Sequence, residues 1–300
     1  MTRGKIDFPA IILLTILLTS SFLVVLWFNR HKKEESFPSR LKIVATIFPL
    51  FDIVRSIAGD KAETILILPP GASPHTFELT PGKVKEISGA RLVFKIGGLD
   101  DWIDKASENS PYVKKITVEQ GIEFLASGEG EKTRDPHYWL AAKNGKIIAR
   151  NIYEELVSLD PGHKNYYFRN LEDFLSSLDE ADQEIKKELA DIKNKKIIVF
   201  HDAWRYFAAE YGLEIAGVFE PSSGRGLAPR DLKNLTETAK KSGVKAIFSE
   251  PQFSVDALAP LAGDLGLEIY VLDPIAGVPG RESYIDLLRY NSRIFYQALK

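Results

Sequence analysis

The sequence predicts an α/β protein: two similar parallel-sheet lobes joined by a long backbone helix, with a membrane-spanning helix in front of them. Three observations carry this. Residues 42–75 and 196–229 repeat one strand–helix–strand–loop rhythm. Residues 161–194 carry apolar side chains at a helical period, with no glycine or proline after Gly162. Residues 9–28 contain no charge at all.

The elements follow in chain order. Residues 1–8 form a short N-terminus, and 9–28, "PAIILLTILLTSSFLVVLWF", are long enough to cross a bilayer core. A cleaved signal peptide would have a shorter apolar region with a small-x-small site behind it; no such site follows this stretch, so a single-pass signal anchor is expected. Arg3 and Lys5 precede it and Arg30, Lys32 and Lys33 follow it, which leaves its orientation undecided by charge alone. Residues 29–40 read as a polar linker.

The first lobe is expected over 41–160. A β-branched strand leads into a helix with Leu50, Ile53, Val54 and Ile57 on one face. A Gly-Asp break, a strand at 64–68 and a Pro/Gly loop follow. The second lobe, 195–300, repeats this with Trp204, Phe207, Ala208 and Tyr211 on its helix. Short apolar runs at 90–97, 244–250 and 267–273, each after a helical segment, supply further buried strands of parallel sheets. Between the lobes, Tyr167, Leu171, Phe174, Leu175, Leu178, Ala181, Ile185 and Leu189 make one apolar stripe. A single backbone helix over 161–194 is the simplest object that explains it.

Composition narrows the chemistry. The 300 residues carry a net charge of −2, without the basic surplus a nucleic-acid binder needs. There is no cysteine, which excludes disulfides, thiolate metal sites, a cysteine nucleophile and a lipidated cysteine. A metal site in this chain must be built from imidazole, carboxylate and water.

Of the five histidines, His31 and His163 read as solvated bystanders. The other three occupy matching places. His75 lies in the Pro/Gly loop after the second strand, His137 in "RDPHYWL" at a helix start, and His201 at the end of "KKIIVFH". Asp273 ends "LEIYVLD" in the same way. In open α/β sheets ligands bind beyond the carboxyl ends of the strands. Three imidazoles and one carboxylate, two from each lobe, are therefore placed to converge in a cleft, in a donor set suited to zinc. Solvent-exposed histidines, or acid/base pairs of His201 with Asp202 and His137 with Asp135, are the competing readings at this point. No G-x-S-x-G elbow and no phosphate-loop pattern is present. The Gly/Ser loop at 220–229 reads as a cleft rim. Glu250 and Glu220, at strand ends, are candidates for orienting an imidazole from behind.

The segments "PGASPHTFELTP", "DPHYWL", "FHDAWRYFAAEYGLEIAG", "IFSEPQFS", "VLDP" and the closing "ESYIDLLRYN" resemble, in order and spacing, the zinc/manganese solute-binding proteins of ABC importers, the ZnuA/TroA-like cluster A-I family. The resemblance covers nearly all of residues 41–300. It implies two lobes on a backbone helix with one metal ion between them, and His75, His137, His201 and Asp273 as its ligands, with no catalytic residues. It also implies a monomer outside the membrane that captures Zn2+, or alternatively Mn2+, and delivers it to a membrane permease, which makes residues 9–28 an N-in anchor. Three nitrogens and one oxygen favour zinc, since manganese-type members tend to carry glutamate where this chain has His201. Two departures stand out. Ala141 and Ala142 replace a usual Asp-Pro, which should alter the helix start after His137. The segment 126–135 contains no histidine, so a zinc-collecting loop is not expected. A metal-dependent hydrolase or a surface adhesin would be the alternative uses of the same fold.

Overall fold

The computed structural model describes residues 40–108, 110–127, 134–220, 229–253 and 255–300. The expected membrane span at 9–28, almost all of the linker at 29–40, and most of the loops at 126–135 and 220–229 lie outside the described residues. Among the described residues no helix is long and apolar enough to cross a membrane.

Two four-stranded parallel sheets form, each with the same topology. In the first, β1 (Leu41–Ala45) is flanked by β2 (Ala62–Leu66) and β3 (Leu92–Lys95), with β4 (Lys114–Thr117) outside β3. In the second, β5 (Lys196–His201) is flanked by β6 (Glu214–Glu220) and β7 (Ala246–Ser249), with β8 (Glu268–Val271) outside β7. β3 and β7 are buried along their whole length, because helices cover both faces of a parallel sheet. This is why these strands read as unbroken apolar runs. The strand expected at 64–68 is assigned two residues earlier. Ile67 and Leu68 continue it as extended backbone, donating to the carbonyls of Ala45 and Thr46.

Local signals start the helices. Proline sits in the first turn of α1 (Phe48–Ala58), and Gly59, at φ 54°, lets the chain leave its far end. The Thr80 hydroxyl caps α2 (Pro81–Ser88) by accepting from the Lys83 N–H. α3 (Trp102–Ala106) is a short turn before β4, and α4 (Ala142–Leu159) closes the first lobe.

The backbone helix α5 spans Lys164–Ala190, 27 residues. It begins three residues later than the expected start at 161 because residues 161–163, Pro-Gly-His, form a 3-10 turn. Its buried stripe, from Tyr167 to Leu189, packs on α1 and α4 and also on the C-terminal helix α9 (Tyr284–Leu299). The second lobe is completed by α6 (Arg205–Tyr211), α7 (Pro229–Ser242) and α8 (Ala259–Leu265). Among the described residues one large hydrophobic cluster spans both sheets, beside two smaller ones. Ile43 and Phe94 of the first sheet, Leu178 of α5 and Phe248 of the second sheet belong to a single buried cluster. Separating the lobes would expose its middle to water.

Candidate metal centre

The crevice lies beyond the carboxyl ends of both sheets, where parallel α/β folds place their ligands. His201 is the last residue of β5, at the point where the chain crosses to opposite sides of that strand. His75 sits in the loop between β2 and α2, and His137 immediately precedes the 3-10 turn at Tyr138–Leu140. The three rings converge. The His201 Nε2 lies 3.2 Å from the Nε2 of His75 and 3.2 Å from the Nε2 of His137. Two nitrogens bound to one tetrahedral zinc ion at ~2.05 Å would be about 3.3 Å apart. The imidazoles thus stand at the spacing of ligands that share an ion. The cavity in front of them has a volume of about 10 Å3. That is room for one water-sized body.

Each ring is aimed by its surroundings. The Asp135 Oδ1 stands 2.8 Å from the His137 Nδ1 and also accepts the His137 backbone N–H at 2.9 Å. With its Nδ1 proton held there, His137 offers a bare Nε2 to the cavity. The loop carrying His75 is tied down where the Trp102 indole donates to the Pro74 carbonyl at 3.3 Å. Among the described residues His201 has no such support: its Nδ1 is buried without a partner there. Burial, reinforced by the charge of neighbouring His137, lowers the His75 pKa to about 4, though the residue keeps a solvent-exposed side. Burial and the other two histidines lower the deeper His201 to about 2. Both rings are neutral at physiological pH, as metal ligands must be.

Asp273 is placed differently. Among the described residues, the donor atoms that lie within 4.8 Å of one another belong to the three histidines, and the Asp273 carboxylate is not among them. It is buried at the end of the extended segment after β8, where Oδ1 accepts the N–H groups of Ile275 and Ala276 and Oδ2 faces Arg281. Glu250 lines the cavity and accepts the Trp204 indole N–H at 2.9 Å. Among the described residues at the cavity, Asp135 is a carboxylate that holds one of the three converging imidazoles. The backbone of Glu220 pairs with that of His201 across β5 and β6, and its side chain lies outside the described residues. His163 pairs with Asp160 at the start of α5, on an exposed surface. Sequence reasoning passed over Gln252, whose buried amide lines the cavity with neither polar atom partnered.

Comparison with known proteins agrees with this geometry. The profile of a family described as the periplasmic zinc-uptake complex component A matches residues 43–298. The chain belongs to this family. It is a metal-binding solute-binding protein of an ABC importer. The manganese ABC transporter substrate-binding lipoprotein PsaA of Streptococcus anginosus is 32% identical over 277 residues, which cover 87% of this chain and 89% of the relative. A crystal structure of ZnuA superposes with a TM-score of 0.79 at 30% identity, over 87% of this chain and all of that one. The solute-binding protein FpvC of Pseudomonas aeruginosa, in complex with Mn2+, does so with a TM-score of 0.78 at 27% identity, over 87% of this chain and 98% of its own.

The departure at Ala141 also has a structural answer. Alanine offers no capping oxygen, and α4 starts without a side-chain cap of its own. The Glu210 carboxylate, from α6 of the other lobe, takes the Lys143 N–H at 3.0 Å instead.

Proposed function

We propose that this chain is a zinc receptor, anchored by residues 9–28 on the outer face of the membrane, that passes its ion to the permease of an ABC importer. The observation that carries the reading is the convergence of three imidazole nitrogens, two of the pairs 3.2 Å apart, on a cavity of ion size. Two of the three rings are held neutral by burial, and the orphaned Gln252 amide gives a hydrated ion a polar wall to meet.

Two considerations bear on the metal. The PsaA relatives are named for manganese. Manganese, however, prefers oxygen donors, whereas a site dominated by imidazole follows the Irving–Williams order and holds zinc the more tightly. The donor set is a property of this chain's own residues, and it supports zinc. With Asp273 completing the shell, His75, His137 and His201 form a three-nitrogen, one-oxygen site of ordinary zinc character. The relatives are called lipoproteins. These 300 residues hold no cysteine to carry a lipid, which supports a peptide anchor. The hydrolase alternative draws no support from the comparisons.

The test is elemental analysis of the full chain, purified without chelator or metal-affinity resin, followed by competition between zinc and manganese. About one zinc per chain that excess manganese does not displace is the expected result. Manganese retained against zinc would reverse the choice of metal, and a chain that takes up neither would end the receptor reading. His137→Ala should then weaken zinc binding by at least tenfold.

A further inference from the structure

We propose that Arg281 competes with the cargo ion for the Asp273 carboxylate. It acts as a positioning residue that holds the fourth ligand off the three imidazoles and so sets how readily the metal leaves. The inference rests on the receptor reading above and adds to it a residue that controls release.

The carboxylate sits in a nest built for it. The Asp273 N–H donates to the Asn291 Oδ1 at 2.8 Å, and the Asn291 amide donates back to the Asp273 carbonyl at 2.7 Å, which fixes the backbone against α9. Oδ1 takes the Ile275 N–H at 2.9 Å and the Ala276 N–H at 3.0 Å. Ala276 has φ 65°, a left-handed conformation that is costly for a residue with a Cβ. The surroundings therefore over-determine a turn that aims an amide at Asp273. Gly277 follows at φ 83°, where an added Cβ would lie 2.7 Å from the Phe48 ring.

This turn folds the chain back. The Gly277 N–H donates to the Arg281 carbonyl at 3.0 Å and the Arg281 N–H to the Val278 carbonyl at 2.9 Å, a tight hairpin that returns Arg281 to Asp273. The Arg281 Nε stands 3.1 Å from the Asp273 Oδ2, with side chains only 17% and 5% exposed. The guanidinium lies over the Tyr290 ring, 4.2 Å from its centre, and the Tyr290 hydroxyl donates to the Val271 carbonyl. Arginine, aromatic ring and carboxylate are thus locked to the end of the same strand.

Both carboxylate oxygens are engaged, and the carboxylate lies outside the cluster of imidazole donors. The Nε–H makes no aligned hydrogen bond, so the contact is charge attraction in dry surroundings without the directional part. A divalent ion among the imidazoles offers the carboxylate a stronger partner. Taking it leaves a buried guanidinium without its counter-charge, which is unfavourable. Metal binding gives up that amount, and metal release recovers it as Arg281 takes the carboxylate back. The ion can gain no more than its differential affinity for the two arrangements.

The experiment loads the full chain with zinc and follows its loss into excess EDTA by stopped flow. Arg281→Gln should slow release by roughly fivefold or more, the worth of a charge-assisted contact, and raise affinity in proportion. Arg281→Lys, which keeps the charge, should return the rate toward that of the wild type. In an Asp273→Asn background, Arg281→Gln should change nothing. Faster release or weaker binding in Arg281→Gln, as from simple structural damage, overturns the proposal. So does an equal effect in the Asp273→Asn background. Tyr290→Leu, which removes the ring beneath the guanidinium, should slow release by a smaller factor. If Arg281→Gln does not fold, an unslowed Tyr290→Leu overturns the proposal by itself. Zinc bound by the wild type with an unchanged rate in Arg281→Gln defeats the latch alone, whereas a wild-type chain that binds no metal defeats the receptor reading and the latch together.

Discussion

The Tyr206 hydroxyl donates to the Asp135 carbonyl at 3.0 Å and accepts the Leu125 N–H at 2.9 Å. Tyr206 lies in the first turn of α6, five residues past His201, and Asp135 is the carboxylate behind His137. One hydroxyl therefore couples the ligand supplied by the second lobe to the segment that supplies a ligand from the first. Tyr206→Phe removes both bonds and keeps the ring. We expect it to weaken zinc binding severalfold and to lower stability by about 1 kcal/mol, the net worth of a buried hydrogen bond. Competition titration and urea unfolding check this, and unchanged affinity would mean that the coupling does not reach the imidazoles.

Asp135 makes a second prediction. Its contact with the His137 Nδ1 fixes the orientation of that ring. Asp135→Asn leaves the shape and removes the charge, and zinc affinity should fall by about tenfold or more, as for comparable carboxylates behind a ligating histidine. Among the described residues His201 lacks such a partner and shows no carboxylate whose loss would have the same effect.

Glu210→Ala should cost about 1 kcal/mol, as for a lost helix cap, because the Lys143 N–H then loses its acceptor. Restoring a cap locally with Ala141→Asp in the same variant should recover much of the loss. Thermal unfolding of the two variants decides it, and failure of the local cap to compensate would show that Glu210 acts by some other route.

That cap also marks where sequence reasoning stops. The strands were legible because burial on both faces leaves uninterrupted apolar runs, and the backbone helix because one stripe persists from Tyr167 to Leu189. The histidines were legible because three of five stand at strand exits or helix starts. The cap of α4 was not, since its first turn reads "AKNG" with no capping residue and its cap comes from 67 residues away. The place of Asp273 was not legible either. Its ion pair with Arg281 depends on a hairpin with Ala276 and Gly277 at positive φ, and neither apolar periodicity nor motif spacing encodes a backbone reversal. Asp135 was visible beside His137 as an acid/base candidate, but only the 2.8 Å contact shows it steering the ring.

Opening and closing should be small. The buried cluster runs unbroken from Ile43 through Leu178 to Phe248, and α5 packs on helices from both lobes. A wide hinge motion would tear apolar surface that is worth about 25 cal/mol per Å2 when buried. Small-angle scattering of the metal-free and zinc-loaded chain should give superimposable curves. A clear compaction on loading would contradict a rigid backbone and shift attention from loops such as 274–282 to the lobes themselves.

The last prediction concerns protons. A free imidazole takes one near pH ~6.5, but His75 is lowered to about 4 and His201 to about 2, in each case chiefly by burial. The folded rings therefore stay neutral where the unfolded ones charge. Two consequences have the same sign. Stability should fall as the pH drops from 6.5 toward 4, because the unfolded chain binds the extra protons in that window. Zinc meets no proton competition from these two rings until the pH approaches 4. Two free imidazoles would together lose roughly seventyfold in affinity between pH 7 and 5.5. Competition titrations across that interval should show a much smaller loss. A fall of roughly seventyfold would mean that His75 and His201 titrate as if in water, and that the crevice is wetter than its burial indicates.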